Sequence, residues 1–253
     1  MRFASLGSGS RGNATLIEVG QTRLLLDNGF AARETELRLA ALEVEPDSID
    51  AILVTHEHQD HIRGVGAFSR RYRLPVYMTH GTHRQNRCGE LADLHLIHGH
   101  QPAFSIGDFE VQPFTVPHDA SEPVQYLFRS AKAALGILTD TGMATPHIMQ
   151  VLSASDALFL ECNHDLQMLA SGPYPPALQR RVGGLHGHLS NDQAAEILGN
   201  LDHARLRHIV VAHLSEKNNS PERAKQTLLD AVPGIEDRLA FTCQDRVCGW
   251  FEL

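Results

Sequence analysis

A chain of 253 residues with a net charge of −8 can bury a substantial core, and that charge argues against broad electrostatic adhesion to nucleic acid or anionic membranes. No apolar run is long enough to cross a bilayer, and the few apolar residues before Gly7 are too short for a signal peptide, so a soluble cytoplasmic protein is expected. Four cysteines (Cys88, Cys162, Cys243, Cys248) form neither a disulfide framework nor a Cys-x-x-Cys pair, which suits a reducing compartment, whereas 16 histidines, many beside Asp, Gly or Ser, are unusual.

Taken in order, residues 2–6 and 14–19 read as short strands around Gly7-Ser8-Gly9-Ser10-Arg11-Gly12-Asn13. Such a loop can offer backbone N–H groups to an anion, although no helix follows it as in a P-loop. A strand over 21–26 ends at the turn Asp27-Asn28-Gly29, and 34–42 has helical spacing. The apolar run 49–54 then opens into Thr55-His56-Glu57-His58-Gln59-Asp60-His61. One histidine on an apolar segment is ordinarily a satisfied core residue. Three imidazoles and two carboxylates within six residues at a strand end point instead to a metal site. A helix is expected over 62–72, a strand over 75–78, and a helix over 82–91 opened by a Thr82/Gln85 capping box. Arg63, Arg70, Arg71 and Arg73 crowd this stretch and read as a solvated helix face.

The second half begins strand-rich, with segments at 104–106, 109–115, 124–128 and 133–139. Two of them run into polar tips, Val116-Pro117-His118-Asp119 and Leu138-Thr139-Asp140. A helix capped by Thr145 with Pro146 follows, then a strand over 157–161 ending in Glu161-Cys162-Asn163-His164-Asp165. Residues 166–187 are an irregular excursion. Ser190 and Gln193 form a capping box for the next helix, 207–212 is a strand ending at His213-Leu214-Ser215, and Ser220 caps a last helix over 221–232. A closing hairpin is expected from 239–243 and 246–251. Alternating helices and strands imply helices covering sheet faces, and Asp27, His56, His58, Asp60, His61, His118, Asp140, Glu161 and His213 all fall at or just past strand ends, where they can meet at one sheet edge.

The ordered set His56-x-His58-x-Asp60-His61, with Asp27 before it and His118, Asp140 and His213 after it, resembles the metallo-β-lactamase superfamily over nearly the whole chain. Gly7–Asn13, Pro117–Ala120, Glu161–Asp165, Gly187–Asn191 and Ala212–Asn219 are similar to phrases of its YycJ/WalJ group of metal-dependent nucleases. The resemblance implies an α/β fold, a four-layer αββα sandwich spanning 1–253 as a single domain, without the long β-CASP insertion between Asp140 and His213. It implies two divalent ions (zinc, manganese or iron): His56, His58 and His118 on the first, Asp60, His61 and His213 on the second, Asp140 bridging. Asp27 would orient a ligand imidazole, and His164 would be a nearby hydrogen-bonding support. Glu161 and His188 resemble an acid–histidine pair in the related tRNA 3′-processing nucleases.

The implied activity is 5′-to-3′ exonuclease action on DNA. A metal-bridging hydroxide would attack phosphorus, Asp60 and Asp140 would hold it, and His188 with Glu161 would protonate the leaving oxygen. Ser8, Asn13, Ser190, Ser215 and Asn218 are candidate neutral donors to a terminal 5′-phosphate. The absence of a β-CASP insertion and of a tRNA-gripping arm favours DNA over RNA, and no membrane partner is expected. The competing readings are a thioesterase or lactonase of the same fold and a non-catalytic, metal-stabilised interaction module.

Overall fold

The computed structural model describes residues 1–253 and divides into two compact units. The first comprises Met1–Thr115, Ala120–Ala133 and Thr242–Leu253; the second comprises Val116–Asp119 and Ala134–Phe241.

In the first unit, β1 (Arg2–Gly7), β2 (Ala14–Val19) and β3 (Thr22–Leu26) form an antiparallel meander, and the C-terminal strand Cys248–Glu252 lies antiparallel to β1. Helix α1 (Ala32–Ala40) then crosses to β4 (Ala51–Leu53), which pairs in parallel with β3. Helices α2 (Gln59–Ile62) and α3 (Val65–Tyr72) lead to β5 (Pro75–Thr79), parallel to β4. A short α4 (His80–Arg84) precedes β6 (Asp93–Ile97), parallel to β5. Leu24, Leu25, Leu26, Ala51, Ile52 and Leu53 are all buried, as expected of parallel strands covered on both faces. Leu39 from α1 and Val65 and Phe68 from α3 join Leu16, Leu25, Ile52, Val76 and Met78 in one cluster. Burying a side chain such as Phe68 contributes roughly 2–3 kcal/mol. β7 (Phe104–Ile106), β8 (Phe109–Thr115) and β9 (Val124–Arg129) complete the unit as a second antiparallel meander.

Two expectations are corrected here. The helix expected over 82–91 is only α4: its N-cap is Thr79, whose hydroxyl accepts the Thr82 N–H, and left-handed Asn86 and Gly89 end any helical path before β6. The helix expected over 62–72 is broken at Gly64. There the chain presses against the Phe30 carbonyl, and a Cβ would sit 1.8 Å from that oxygen.

In the second unit β10 (Ala134–Leu138), α5 (Pro146–Leu152), β11 (Ala157–Glu161), α6 (Leu166–Ser171), α7 (Pro176–Val182), α8 (Asn191–Asn200), β12 (His208–Ala212), α9 (Pro221–Ala231) and β13 (Leu239–Phe241) follow one another. The four strands are parallel, with Leu138 opposite Leu160, Leu160 opposite Val211 and Val211 opposite Phe241. Their C-terminal ends are therefore level. Thr145, Ser190 and Ser220 cap α5, α8 and α9 as expected, and Gln193 completes the box at Ser190. The expected closing hairpin does not form. β13 extends the parallel series beside β12, while the last strand takes the free edge of β1, with Phe251 opposite Phe3. No helix of the protein is long and apolar enough to cross a membrane.

Candidate metal centre

Each unit contributes a constellation at the C-terminal ends of its parallel strands, the end at which open α/β sheets bind ligands. In the first unit the register of Leu26 with Leu53 brings Asp27 beside the segment that follows β4. Asp27 adopts a left-handed conformation (φ 57°), and its N–H donates to the Leu53 carbonyl at 2.8 Å. Its buried carboxylate accepts the Thr55 N–H at 2.8 Å, the Thr55 hydroxyl at 2.9 Å and Nδ1 of His61 at 2.8 Å. Thr55 Oγ1 also lies 2.9 Å from Nδ1 of His56. With the Thr55 hydroxyl hydrogen committed to Asp27, that contact makes His56 Nδ1 the donor. One carboxylate thus fixes two imidazoles at Nδ1, His61 directly and His56 through Thr55. Burial pushes the Asp27 carboxyl above the usual range, opposed by the His61 charge and the donated hydrogen bonds.

His58 is the N-cap of α2, and the first turn of this helix carries Asp60 and His61. The ring centroids of His56 lie 4.6 Å from His58 and 4.3 Å from His61. Asp60 Oδ2 is 3.6 Å from His61 Nε2. Backbone bonds fix this turn against the Asp27-Asn28-Gly29 corner: Asn28 N–H to His61 O at 2.8 Å, Asn13 N–H to Asp60 O at 2.7 Å, Gly29 N–H to Asn13 O at 2.9 Å. Gly29 is required by proximity, since a Cβ there would lie 1.8 Å from the Asp60 carbonyl oxygen. Asn13 lies against the same turn, its Nδ2 3.1 Å from His61 Nε2 and 3.3 Å from Asp60 Oδ2.

In the second unit, Asp140 and His213 follow β10 and β12 in the same left-handed conformation (φ 53° and 54°), and Glu161 ends β11 between them. Backbone held in this sparsely populated region is typical of functional sites. Asp140, Glu161, His188 and His213 each bring one ligand-type atom within 4.8 Å of the others. Glu161 is fully buried; its Oε1 accepts from Nδ1 of His188 and Nδ1 of His213, both at 2.8 Å, and its Oε2 from the N–H groups of Leu189 (3.0 Å) and Thr141 (3.3 Å). His118 Nδ1 is held by the Gly187 carbonyl at 3.0 Å. Asp140 Oδ1 faces His213 Nε2 at 3.7 Å and His118 Nε2 at 4.0 Å. Burial by itself would raise the Glu161 carboxyl, but the His188 charge and the two imidazole hydrogen bonds outweigh it and hold it at about 2. Burial likewise works against a charged His188, and Glu161 overcomes it, so the His188 pKa is raised. The hydrogen bond between them favours charge on both partners, lowering the carboxyl and raising the imidazole.

The donor set fits divalent ions. Metal bonds of about 2.0–2.2 Å allow two ligand atoms of one ion to lie up to about 4 Å apart, the range of the Asp60–His61 and Asp140–His213 separations. His56, His61, His118 and His213 each have Nδ1 anchored, which leaves Nε2 as the nitrogen that would face an ion, the arrangement that imidazole ligands need.

The remaining expected residues are all buried. His164 is buried; its carbonyl accepts the Asn191 N–H at 2.9 Å and its Nδ1 has no hydrogen-bond partner. Burial lowers its pKa to about 4. Ser190, Ser215 and Asn218 are buried and hydrogen-bonded: Ser190 caps α8, and Ser215 Oγ accepts the Asn218 N–H at 3.2 Å. Ser8 is buried, with its N–H on the Cys243 carbonyl at 3.2 Å. Sequence reasoning missed Thr55, which has no signal beyond standing between Asp27's strand neighbour and His56. It also missed the Gly187 carbonyl, a backbone group that no motif records.

The two mixed sheets flanked by helices match solved structures of the metallo-β-lactamase class, the α/β sandwich expected from the sequence. The metallo-β-lactamase fold protein YhfI from Bacillus subtilis superposes with a TM-score of 0.74 at 16% identity, covering 97% of this chain and 98% of that one. Residues 22–213 match the beta-lactamase superfamily domain. The chain is 36% identical to exodeoxyribonuclease YycJ of Bacillus anthracis over 231 residues, 90% of this chain and 88% of that protein. It is 34% identical to exodeoxyribonuclease WalJ of Streptococcus pneumoniae over 238 residues, 91% of this chain and 88% of the relative. The chain belongs to the β-lactamase superfamily, within its YycJ/WalJ-like group, and its His and Asp clusters make it a divalent-metal-binding protein.

Proposed function

We propose that the protein is a metal-dependent phosphodiesterase, a nuclease that digests DNA from a 5′ end. The observation that carries this reading is its alignment with exodeoxyribonucleases over about nine-tenths of its length. Within that reading 1–253 works as one catalytic domain in the cytoplasm, consistent with four unbridged cysteines. Two ions, zinc, manganese or iron, are assigned: His56, His58 and His118 to the first, Asp60, His61 and His213 to the second, Asp140 to both. When bound, such ions lower the pKa of a water and polarise the phosphodiester.

The chain's own groups do the rest. Asp60 and Asp140 offset the cationic charge and orient the attacking water. Asp27 and Glu161 fix the imidazoles so that the centre is preorganised. His188 is assigned as the proton donor to the leaving oxygen. Its Nδ1 is held by Glu161, so the proton delivered is the one on Nε2, and its side chain, 21% exposed, is the most accessible member of the second unit's imidazole cluster.

The test is a panel on metal-exchanged protein: 5′-phosphorylated duplex DNA, single-stranded DNA, RNA, a thioester and a lactone. Release of nucleotides from the duplex is expected, with RNA turned over more slowly. Turnover of the thioester alone would overturn the reading.

A further inference from the structure

A cavity of about 580 Å³ in the first unit is bordered by α1, the Ser10–Arg11 turn, Gln59, Asp60 and Arg63 of the α2 region, and Gln244–Asp245. Its volume is within the range of small-ligand sites. We propose that it seats a backbone phosphate of the nucleic acid, with Arg63 as the cation that binds it. The proposal rests on the nuclease reading and adds to it where the chain beside the scissile bond is held.

The charges of the cavity single out Arg63. Arg11 is committed to Asp245 by two hydrogen bonds, 2.7 and 2.9 Å. Arg38 is committed to Glu34 at 2.7 Å and lies over the Phe30 ring at 4.1 Å, a largely buried position with a structural task. These pairs cancel, and Asp60 is assigned to the ligand set, where its charge would face a metal cation. Arg63 remains: it is exposed, and its guanidinium makes no ion pair or hydrogen bond within the protein. It stands three residues beyond Asp60, and its backbone is fixed, with the Arg63 N–H on Gln59 O at 3.2 Å and the next N–H, of Gly64, on Asn28 O at 2.8 Å. An uncommitted guanidinium on a rigid mount, beside a metal ligand and over a cavity, has the fork geometry that a phosphate accepts. It also explains how a chain of net charge −8 can take a polyanion: one local cation acts with the metals, with no need for a basic face.

The test measures affinity of the metal-loaded protein for a 5′-phosphorylated duplex whose linkages are non-hydrolysable phosphorothioates, over a range of salt. Arg63→Ala is expected to weaken binding roughly tenfold. The slope of log affinity against log salt should fall by about one, the loss of one phosphate contact. Arg63→Lys should keep the slope, and Arg87→Ala, an exposed arginine away from the cavity, should match wild type. Hydrolysis of bis(p-nitrophenyl) phosphate, too small to span metal and cavity, should be unchanged in Arg63→Ala. Wild-type binding and slope in Arg63→Ala overturn the proposal and leave the nuclease reading intact. Loss of metal or of small-ester hydrolysis also overturns it, since Arg63 would then be supporting Asp60. Failure of the wild type to bind or cleave any nucleic acid overturns both.

Discussion

Oε1 of Glu161 lies 2.8 Å from Nδ1 of His213, and the same oxygen accepts from His188 at the same distance. A single carboxylate therefore fixes an assigned metal ligand and the assigned proton donor together. Glu161→Gln is expected to disturb both, because one amide oxygen cannot replace a carboxylate that serves four donors. Metal affinity should fall about 10- to 100-fold, as for other carboxylates that orient ligand imidazoles. Metal content after dialysis, measured by plasma mass spectrometry, checks this; a variant with full metal content would remove Glu161 from the support of His213.

His188 separates from that effect. His188→Ala leaves Glu161 with its His213, Leu189 and Thr141 donors. Metal content should hold while turnover drops about 10²- to 10⁴-fold, the usual weight of a general acid. Single-turnover kinetics with the metal quantified in the same sample decides the matter, and co-loss of metal would make His188 a ligand.

Asp27 and Thr55 form the corresponding support in the first unit. Asp27→Asn should loosen His61 directly and His56 indirectly, lowering metal affinity about 10- to 100-fold. Thr55→Val removes the hydroxyl relay to His56 and a longer 3.4 Å contact to His61 Nδ1 while Asp27 still holds His61, so it should have the smaller effect of the two. Competition with a chromogenic chelator ranks the variants, and an equal or reversed order would break the relay.

His164 supplies a pH dependence. Its ordinary pKa near 6.5 is lowered by burial to about 4 in the folded protein. Above 6.5 both folded and unfolded chains carry it neutral, and no stability is lost. As pH falls through 6.5 the unfolded chain binds the proton and the folded one does not until about 4, so stability declines across that window. From pH 8 to pH 5 wild type should lose about 2 kcal/mol more than His164→Asn, other titrations cancelling in the difference. Urea unfolding of both proteins at the same metal load measures it; parallel pH slopes would sink the argument.

The residues assigned to the site could be picked out in the sequence because each is a local event: an apolar strand gives out, and a His, Asp or Glu stands at its tip. That holds for Thr55–His61 and equally for Asp140, Glu161 and His213. Capping boxes were legible for the same reason, as at Ser190 and Gln193, where partners three residues apart interact whatever the rest of the chain does. The exception was Thr82, which lies inside α4 with its N–H capped by Thr79, while left-handed Asn86 and Gly89 stop the helix early.

Tertiary structure alone decided which group supports which. Asp27 and His61 are 34 residues apart, and Glu161 and His213 are 52 apart. Only strand register brings such pairs to hydrogen-bonding distance, and no local pattern encodes register. Packing also buried Ser190, Ser215 and Asn218, set Asn13 against His61, and sent the last strand to β1 instead of β13. The sequence by itself determined the chemistry at the strand tips. Long-range pairing, which depends on how distant buried strands align, decided how those side chains are oriented and which arginine is left facing the cavity beside Asp60.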